Sequence, residues 1–218
     1  MSQVLLVRHG QASWGADDYD VLSDLGARQA TVLGEVLRAR GLQADVLLHG
    51  AMKRQRETAR MLGEAAGWGA WTEDVSWDEM NHEEVLARQP HTFAGDTPTR
   101  REFQAWFEAA TDRWTAGGHD HEYAESFADF SERVLGGLDR LVRHLGSGGT
   151  AVVVTSGGPI SRVVTELLGG GLDVYRRIAP VVVNTSVTKV VVGERGATLV
   201  SLNEHGHLET HPDLLTYR

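Results

Sequence analysis

The chain has no cysteine in its 218 residues, which excludes disulfides, thiolate nucleophiles and cysteine-ligated zinc. It has no surplus of positive charge either: 21 Lys and Arg stand against 30 Asp and Glu, a formal net charge of -9. A surface of that sign repels a phosphate backbone, so nucleic acid is not an expected partner and any phosphate site has to be local. Long apolar runs are missing as well. Val4 to Val7 is too short for a signal-peptide core or a membrane span, and no basic run precedes it. The expectation is a cytoplasmic protein with no membrane partner. Lysine is almost absent, only Lys53 and Lys189, so the abundance of arginine carries no functional weight. What is present, 41% hydrophobic and 23% charged residues at a mean hydropathy of -0.25, is the composition of a globular domain.

Gln3 to Arg8 (QVLLVR) is a continuous apolar run ending in a polar, glycine-containing segment, the pattern of a strand buried on both faces of a parallel sheet. From Ser23 to Arg40 the residues Leu25, Val32, Leu33, Val36 and Leu37 recur at helical spacing, with Ser23 to cap the start and Gly41 to end it. Asp45 to His49 reads as a second strand, Ala51 to Ala66 as a second helix and Trp71 to Val75 as a third strand. Glu125 to Leu145 reads as a long amphipathic helix. Thr150 to Thr155 is a buried strand that Ser156-Gly157-Gly158-Pro159 turns into a helix through Leu168. Val181 to Val192 and Ala197 to Leu202 are β-rich, and the tail from His205 to Arg218 reads as extended.

This alternation predicts an α/β fold, a three-layer sandwich with a mostly parallel central sheet, as one domain over residues 1–218. Between about Glu73 and Glu125 the alternation lapses. A helical cap insertion is predicted over about 77–125, too long for an ordinary connection. Phe93, Phe103, Phe107, Phe127 and Phe130 fall at or just beyond it, with Trp77, Trp106 and Trp114, and are expected to form its own core.

Arg8-His9-Gly10 follows the first strand, at the carboxyl edge where open α/β sheets place their ligands. A neutral imidazole is a nucleophile toward phosphorus, and a guanidinium beside it can grip two phosphoryl oxygens. The segments LLVRHGQAS, YDVLSDLGARQA, HGAMKRQRETAR and TSGGPI, in this order, resemble the histidine phosphatase superfamily, also called phosphoglycerate mutase-like. The resemblance implies a phosphohistidine intermediate, no metal or other cofactor, and a phosphate pocket of two arginines and two histidines. Arg8 and His9 then match the first arginine and the nucleophile. Gly50 to Ala59 is similar to the family signature Ser-Pro-Leu-x-Arg-Ala-x-x-Thr-Ala, which puts the second arginine at Arg54; Arg56 points roughly 160° away on an ideal helix.

The family's acid corresponds to Glu79 in Trp77-Asp78-Glu79-Met80-Asn81-His82, with Asp78 the competing carboxylate. The turn Thr155-Ser156-Gly157-Gly158 departs from the family's Thr/Ser-His-Gly and leaves Ser156 at the second-histidine position. A serine hydroxyl and the amides of Gly157 and Gly158 can still bind an anion. His82 is a candidate to supply the missing donor. The expected activity is a metal-independent phosphomonoesterase acting on a small phosphorylated metabolite. A catalytically weak phospho-ligand-binding or scaffold protein is the alternative. A cofactor-dependent mutase fits less well, because Met80-Asn81-His82-Glu83 replaces the Arg-His-Tyr-Gly of that branch. His119-Asp120-His121 and Arg100-Arg101 read first as solvated loop and helix-surface residues, with metal or anion binding as their sharper alternatives.

Overall fold

Strand β1 (Ser2–Arg8) is apolar along its whole length because it lies inside the sheet, parallel to β4 (Thr150–Thr155) and antiparallel to β5 (Val187–Gly193). The structure is a computed structural model that describes residues 1–13, 20–91, 93, 95 and 98–217. Tyr19, at the head of one of the resembling motifs, Arg218, and positions 92, 94, 96 and 97 of the predicted insertion lie outside the described residues. Beyond β4 the sheet continues in parallel through β2 (Val46–His49) and the two-residue β3 (Thr72–Glu73), and beyond β5 it ends in antiparallel β6 (Gly196–Glu204). The order β3-β2-β4-β1-β5-β6 is a mixed, mostly parallel six-stranded sheet, the expected class.

Helices α1 (Asp24–Ala39) and α2 (Lys53–Ala66) cover one face of the sheet. Leu5, Val7, Val152 and Val154 share a core there with Leu33, Leu37, Ala59 and Leu62. Alternation turns Val4, Leu6 and Val153 to the opposite face, where each is fully buried. Ser23 caps α1 as expected, its hydroxyl accepting from Gly26 N at 3.0 Å.

Residues Met80–Arg133 form one compact unit and Met1–Glu79 with Val134–Arg218 form the other. In the first, α3 (His82–Ala87), α4 (Arg100–Thr115) and the start of α5 (Phe127–His144) surround an aromatic core: Trp114 meets Phe127 and Phe130 edge-on at 5.1 and 5.3 Å. Trp77 belongs instead to the sheet-bearing unit and is wholly buried.

Four expectations are corrected. The third strand is only two residues long, because Asp74 caps a 3-10 turn over Val75–Trp77 by accepting from Ser76 N at 2.9 Å. The β-rich run from Val181 becomes a strand only at Val187, since Ala179–Val181 form a 3-10 turn and Thr185 sits at φ 58, where an extended chain is broken. A seven-residue helix, α7 (Leu172–Ile178), follows α6 (Gly157–Leu167) where no element was expected. The tail is not extended: Leu208 and Leu214 are buried in two 3-10 turns against Leu25 and Val32 of α1, because apolar side chains spaced along a polar tail have a helix face to cover.

Candidate functional site

The backbone of His9 is fixed on both sides. Its N–H donates to Thr155 O at 2.8 Å, one step beyond β1, and its carbonyl accepts from Asn184 Nδ2 at 3.0 Å. The ring is oriented by Gly10 O, 2.7 Å from Nδ1. A carbonyl can only accept, so the proton sits on Nδ1 and Nε2 presents its lone pair. Arg54 Nε donates to that nitrogen at 3.1 Å. Burial first, then the charges of Arg54 and Arg8, hold the imidazole well below its ordinary pKa of 6.5. His9 is therefore neutral at pH 7, the form that can attack an electrophile.

Arg54 is held in the first turn of α2, only 4% exposed, while Arg56 is exposed, as the helix register requires. Its NH1 pairs with Asp20 Oδ1 at 2.8 Å, and Asp20 Oδ2 also accepts from Lys53 N at 2.8 Å, so one carboxylate positions the guanidinium and caps the helix. One turn on, Thr58 Oγ1 donates to Arg54 O at 2.7 Å and accepts from Gly10 N at 2.9 Å, tying α2 to the loop after β1. Arg8 donates through NH1 to Tyr217 O at 2.6 Å and to Val182 O. Gly157 borders its guanidinium: a Cβ there would lie 3.8 Å from Arg8 Nε.

The two candidate carboxylates have different surroundings. Asp78 Oδ1 accepts from Ala51 N at 2.5 Å and anchors the loop before α2. Glu79 Oε2 accepts from Gly158 N at 2.8 Å, so it lies at the N-terminus of α6, one residue from the glycine beside Arg8. Gly158 permits this approach, since a Cβ would come within 2.0 Å of Glu79 Oε1. The Gly158 amide, expected to face a phosphoryl oxygen, is thus engaged by the carboxylate.

Ser156 is the N-cap residue of α6, yet its hydroxyl makes no bond to that helix. Only 1% exposed, it accepts from Gln55 Nε2 at 2.9 Å. His82 opens α3 in the other unit. Arg100 and Arg101 are exposed in the first turn of α4. His119 Nδ1 lies 2.8 Å from Glu122 Oε1, and Arg113 grips the same carboxylate at 2.7 Å. Among the described residues no group of three or more His, Asp and Glu could hold a metal ion, and no helix is long and apolar enough to cross a membrane.

Three residues of this arrangement were not singled out from the sequence: Asp20, Gln55 and Asn184. Each left a faint signal. Gln55 is a polar residue on the buried side of α2, Asp20 lies inside one of the resembling motifs, and Asn184 opens a polar Asn-Thr-Ser triplet in a β-rich run, all three residues of which are fully buried.

Comparison with known proteins bears on this geometry. The profile of the histidine phosphatase superfamily (branch 1) matches residues 4–205. Over 220 residues, covering 96% of each chain, this chain is 26% identical to the "Probable phosphoglycerate mutase GpmB" of Yersinia enterocolitica. Its fold is shared with a mutant phosphoserine phosphatase from Entamoeba histolytica in complex with phosphoserine, at a TM-score of 0.70 and 20% identity over 95% of this chain and 100% of that one. A mycobacterial glucosyl-3-phosphoglycerate phosphatase complexed with VO3 superposes with a TM-score of 0.67 at 22% identity, over 93% and 99% of the two chains. With a family profile spanning nearly its whole length and a fold common to phosphatases and mutases, this chain belongs to the histidine phosphatase superfamily, branch 1.

Proposed function

We propose that the protein is a metal-independent phosphomonoesterase that forms a phosphohistidine on His9 and acts on a small phosphorylated metabolite. The observation that carries this reading is the protonation geometry of His9: Nδ1 is committed to Gly10 O, and Nε2 lies neutral at 3.1 Å from Arg54 Nε. A phosphoryl group arriving at Nε2 takes over the guanidinium N–H that the lone pair now accepts. Nε2 then attacks phosphorus and the ester oxygen departs, taking a proton from the carboxylic acid form of Glu79. In the second half, Glu79 as carboxylate removes a proton from water. That water attacks the phosphohistidine, releasing inorganic phosphate and restoring His9. Arg8 and Arg54 neutralise charge on the transferring oxygens throughout, and such positioning and electrostatic complementarity are the main source of rate in phosphoryl transfer.

A phosphatase fits better than a mutase because the residues after Glu79, Met80-Asn81-His82-Glu83, lack the basic and tyrosyl set that the mutase branch carries there. The test is hydrolysis of a chromogenic aryl phosphate with and without chelator, followed by acid and alkaline quenching of labelled enzyme. Turnover that survives chelation, with acid-labile and alkali-stable label, is expected. Phosphate binding without turnover points to the binding-protein alternative, and label on another residue overturns the covalent step.

A further inference from the structure

Gln55 and Ser156, two buried polar residues at which this chain departs from the pattern it resembles, touch: Gln55 Nε2 donates to Ser156 Oγ at 2.9 Å. The amide orientation of Gln55 is fixed at both ends. Nε2 also faces Trp77 O at 3.1 Å, an atom that can only accept, while Oε1 accepts from Met52 N at 3.3 Å. Both amide hydrogens are thereby consumed. Ser156 receives one of them on its oxygen, its own hydrogen has no acceptor among the described residues, and it makes no cap to its own helix. A buried hydroxyl hydrogen of this kind calls for an acceptor. Gln55 is wholly buried, and Gly50 leaves it room: a Cβ at Gly50 would lie 2.1 Å from Oε1.

We propose that Gln55 is a positioning residue that makes Ser156 an obligate donor to the phosphoryl group, the pair acting together as a neutral replacement for an imidazole donor. This rests on the phosphate-site reading above. The amide occupies the lone-pair side of the hydroxyl and so turns its hydrogen toward the anion. It also fills volume that a larger side chain at Ser156 would need. The two positions are therefore coupled: each substitution is tolerated only with its partner in place.

The experiment is a double-mutant cycle on orthovanadate affinity by calorimetry, with aryl phosphate turnover and thermal melting measured in parallel. Gln55→Met, which keeps the length and loses the amide, and Ser156→Ala are each expected to weaken vanadate binding by roughly 2- to 10-fold, the range of one neutral hydrogen bond. The double variant is expected to be no weaker than either single one. Ser156→His alone is expected to lose binding, and Gln55→Ala combined with Ser156→His to regain it. Additive effects in the cycle, an unchanged affinity in Gln55→Met, or a Ser156→His variant indifferent to residue 55 would each overturn the inference. Should Gln55→Ala fail to fold, the Gln55→Met arm still decides. A wild type that binds vanadate without turnover refutes the phosphatase reading alone and leaves the cycle to judge the pair. A wild type that does not bind vanadate refutes both.

Discussion

Two neighbouring strand ends form the candidate site, and the side chains of His9 and Ser156 that stand there are held by opposite means. At the end of β1, His9 is surrounded by charge: Arg8 precedes it, Arg54 bonds to its Nε2, and Asp20 holds Arg54. At the end of β4, Ser156 meets a neutral amide and a helix N-terminus. Burial, reinforced by the charge of Arg54 and Arg8, lowers the imidazole pKa at the first end and leaves Nε2 a neutral lone pair, whereas the neutral hydrogen bond at Ser156 can only orient a donor. The difference teaches that the two ends contribute unequally. A charge-assisted hydrogen bond is worth roughly twice a neutral one.

The largest effect is expected at His9, the proposed nucleophile. His9→Ala is expected to abolish turnover and labelling while leaving the circular dichroism spectrum unchanged; turnover at the wild-type rate would remove His9 from the reaction. Next comes Arg54→Ala, which takes away a buried charged donor and the ion pair between Arg54 and Asp20. Vanadate affinity is expected to fall by about 2 to 4 kcal/mol, roughly 30- to 900-fold. Arg56→Ala on the exposed side of the same turn is expected to change it less than 2-fold. Equal effects from the two arginines would place the signature on the wrong face of α2.

A smaller effect concerns pH. The folded pKa of His9 lies below its unfolded value of 6.5, and that of His207 is lowered to about 4, mainly by burial. Below pH 6.5 the unfolded chain therefore takes up protons that the folded chain refuses, so stability rises with pH through this window and is lost as the pH falls. Urea unfolding at pH 7.5 and pH 5 is expected to show the loss, and His9→Asn to reduce it, leaving the share due to His207. In the same window kcat/KM is expected to show no acid limb at pH 6.5 from the nucleophile, because the free enzyme keeps it neutral. Among the residues of the candidate site the smallest effect is expected at the β4 end: Ser156→Ala is expected to cost about 0.5 to 1.5 kcal/mol in transition-state stabilisation, read from kcat/KM. A loss as large as that of Arg54→Ala would erase the contrast between the two ends.

The regular elements and the irregular turns of the chain are unequally legible. Apolar runs such as Val4 to Val7 and Val152 to Val154 can be satisfied only inside a sheet, and the spacing of Leu33 and Leu37 only by a helix, so the layered α/β class follows from local pattern. The short β3, the broken run at Thr185 and the turns of the tail were not legible. Each depends on one capping carboxylate, one positive φ or one distant helix face. Of the site, the register that buries Arg54 and exposes Arg56 was readable from helical geometry. The choice of Glu79 over Asp78 rests on resemblance, and only the folded chain gives the two carboxylates different surroundings, with Gly158 N on Glu79 and Ala51 N on Asp78.

Sequence by itself determined that His9 stands at a strand end beside an arginine and a glycine. The same is nearly true of His49, which is also buried, also followed by glycine, and has Nδ1 2.7 Å from the Gly50 carbonyl just as His9 has from Gly10. Local structure does not tell these two histidines apart. Tertiary structure does: α2 carries Arg54 to His9 Nε2, and Gln55, the next residue on the same helix, to Ser156 at the end of β4. Hydrogen bonds between residues 45 and 101 positions apart leave no periodic trace in the chain, so only the folded arrangement can reveal them.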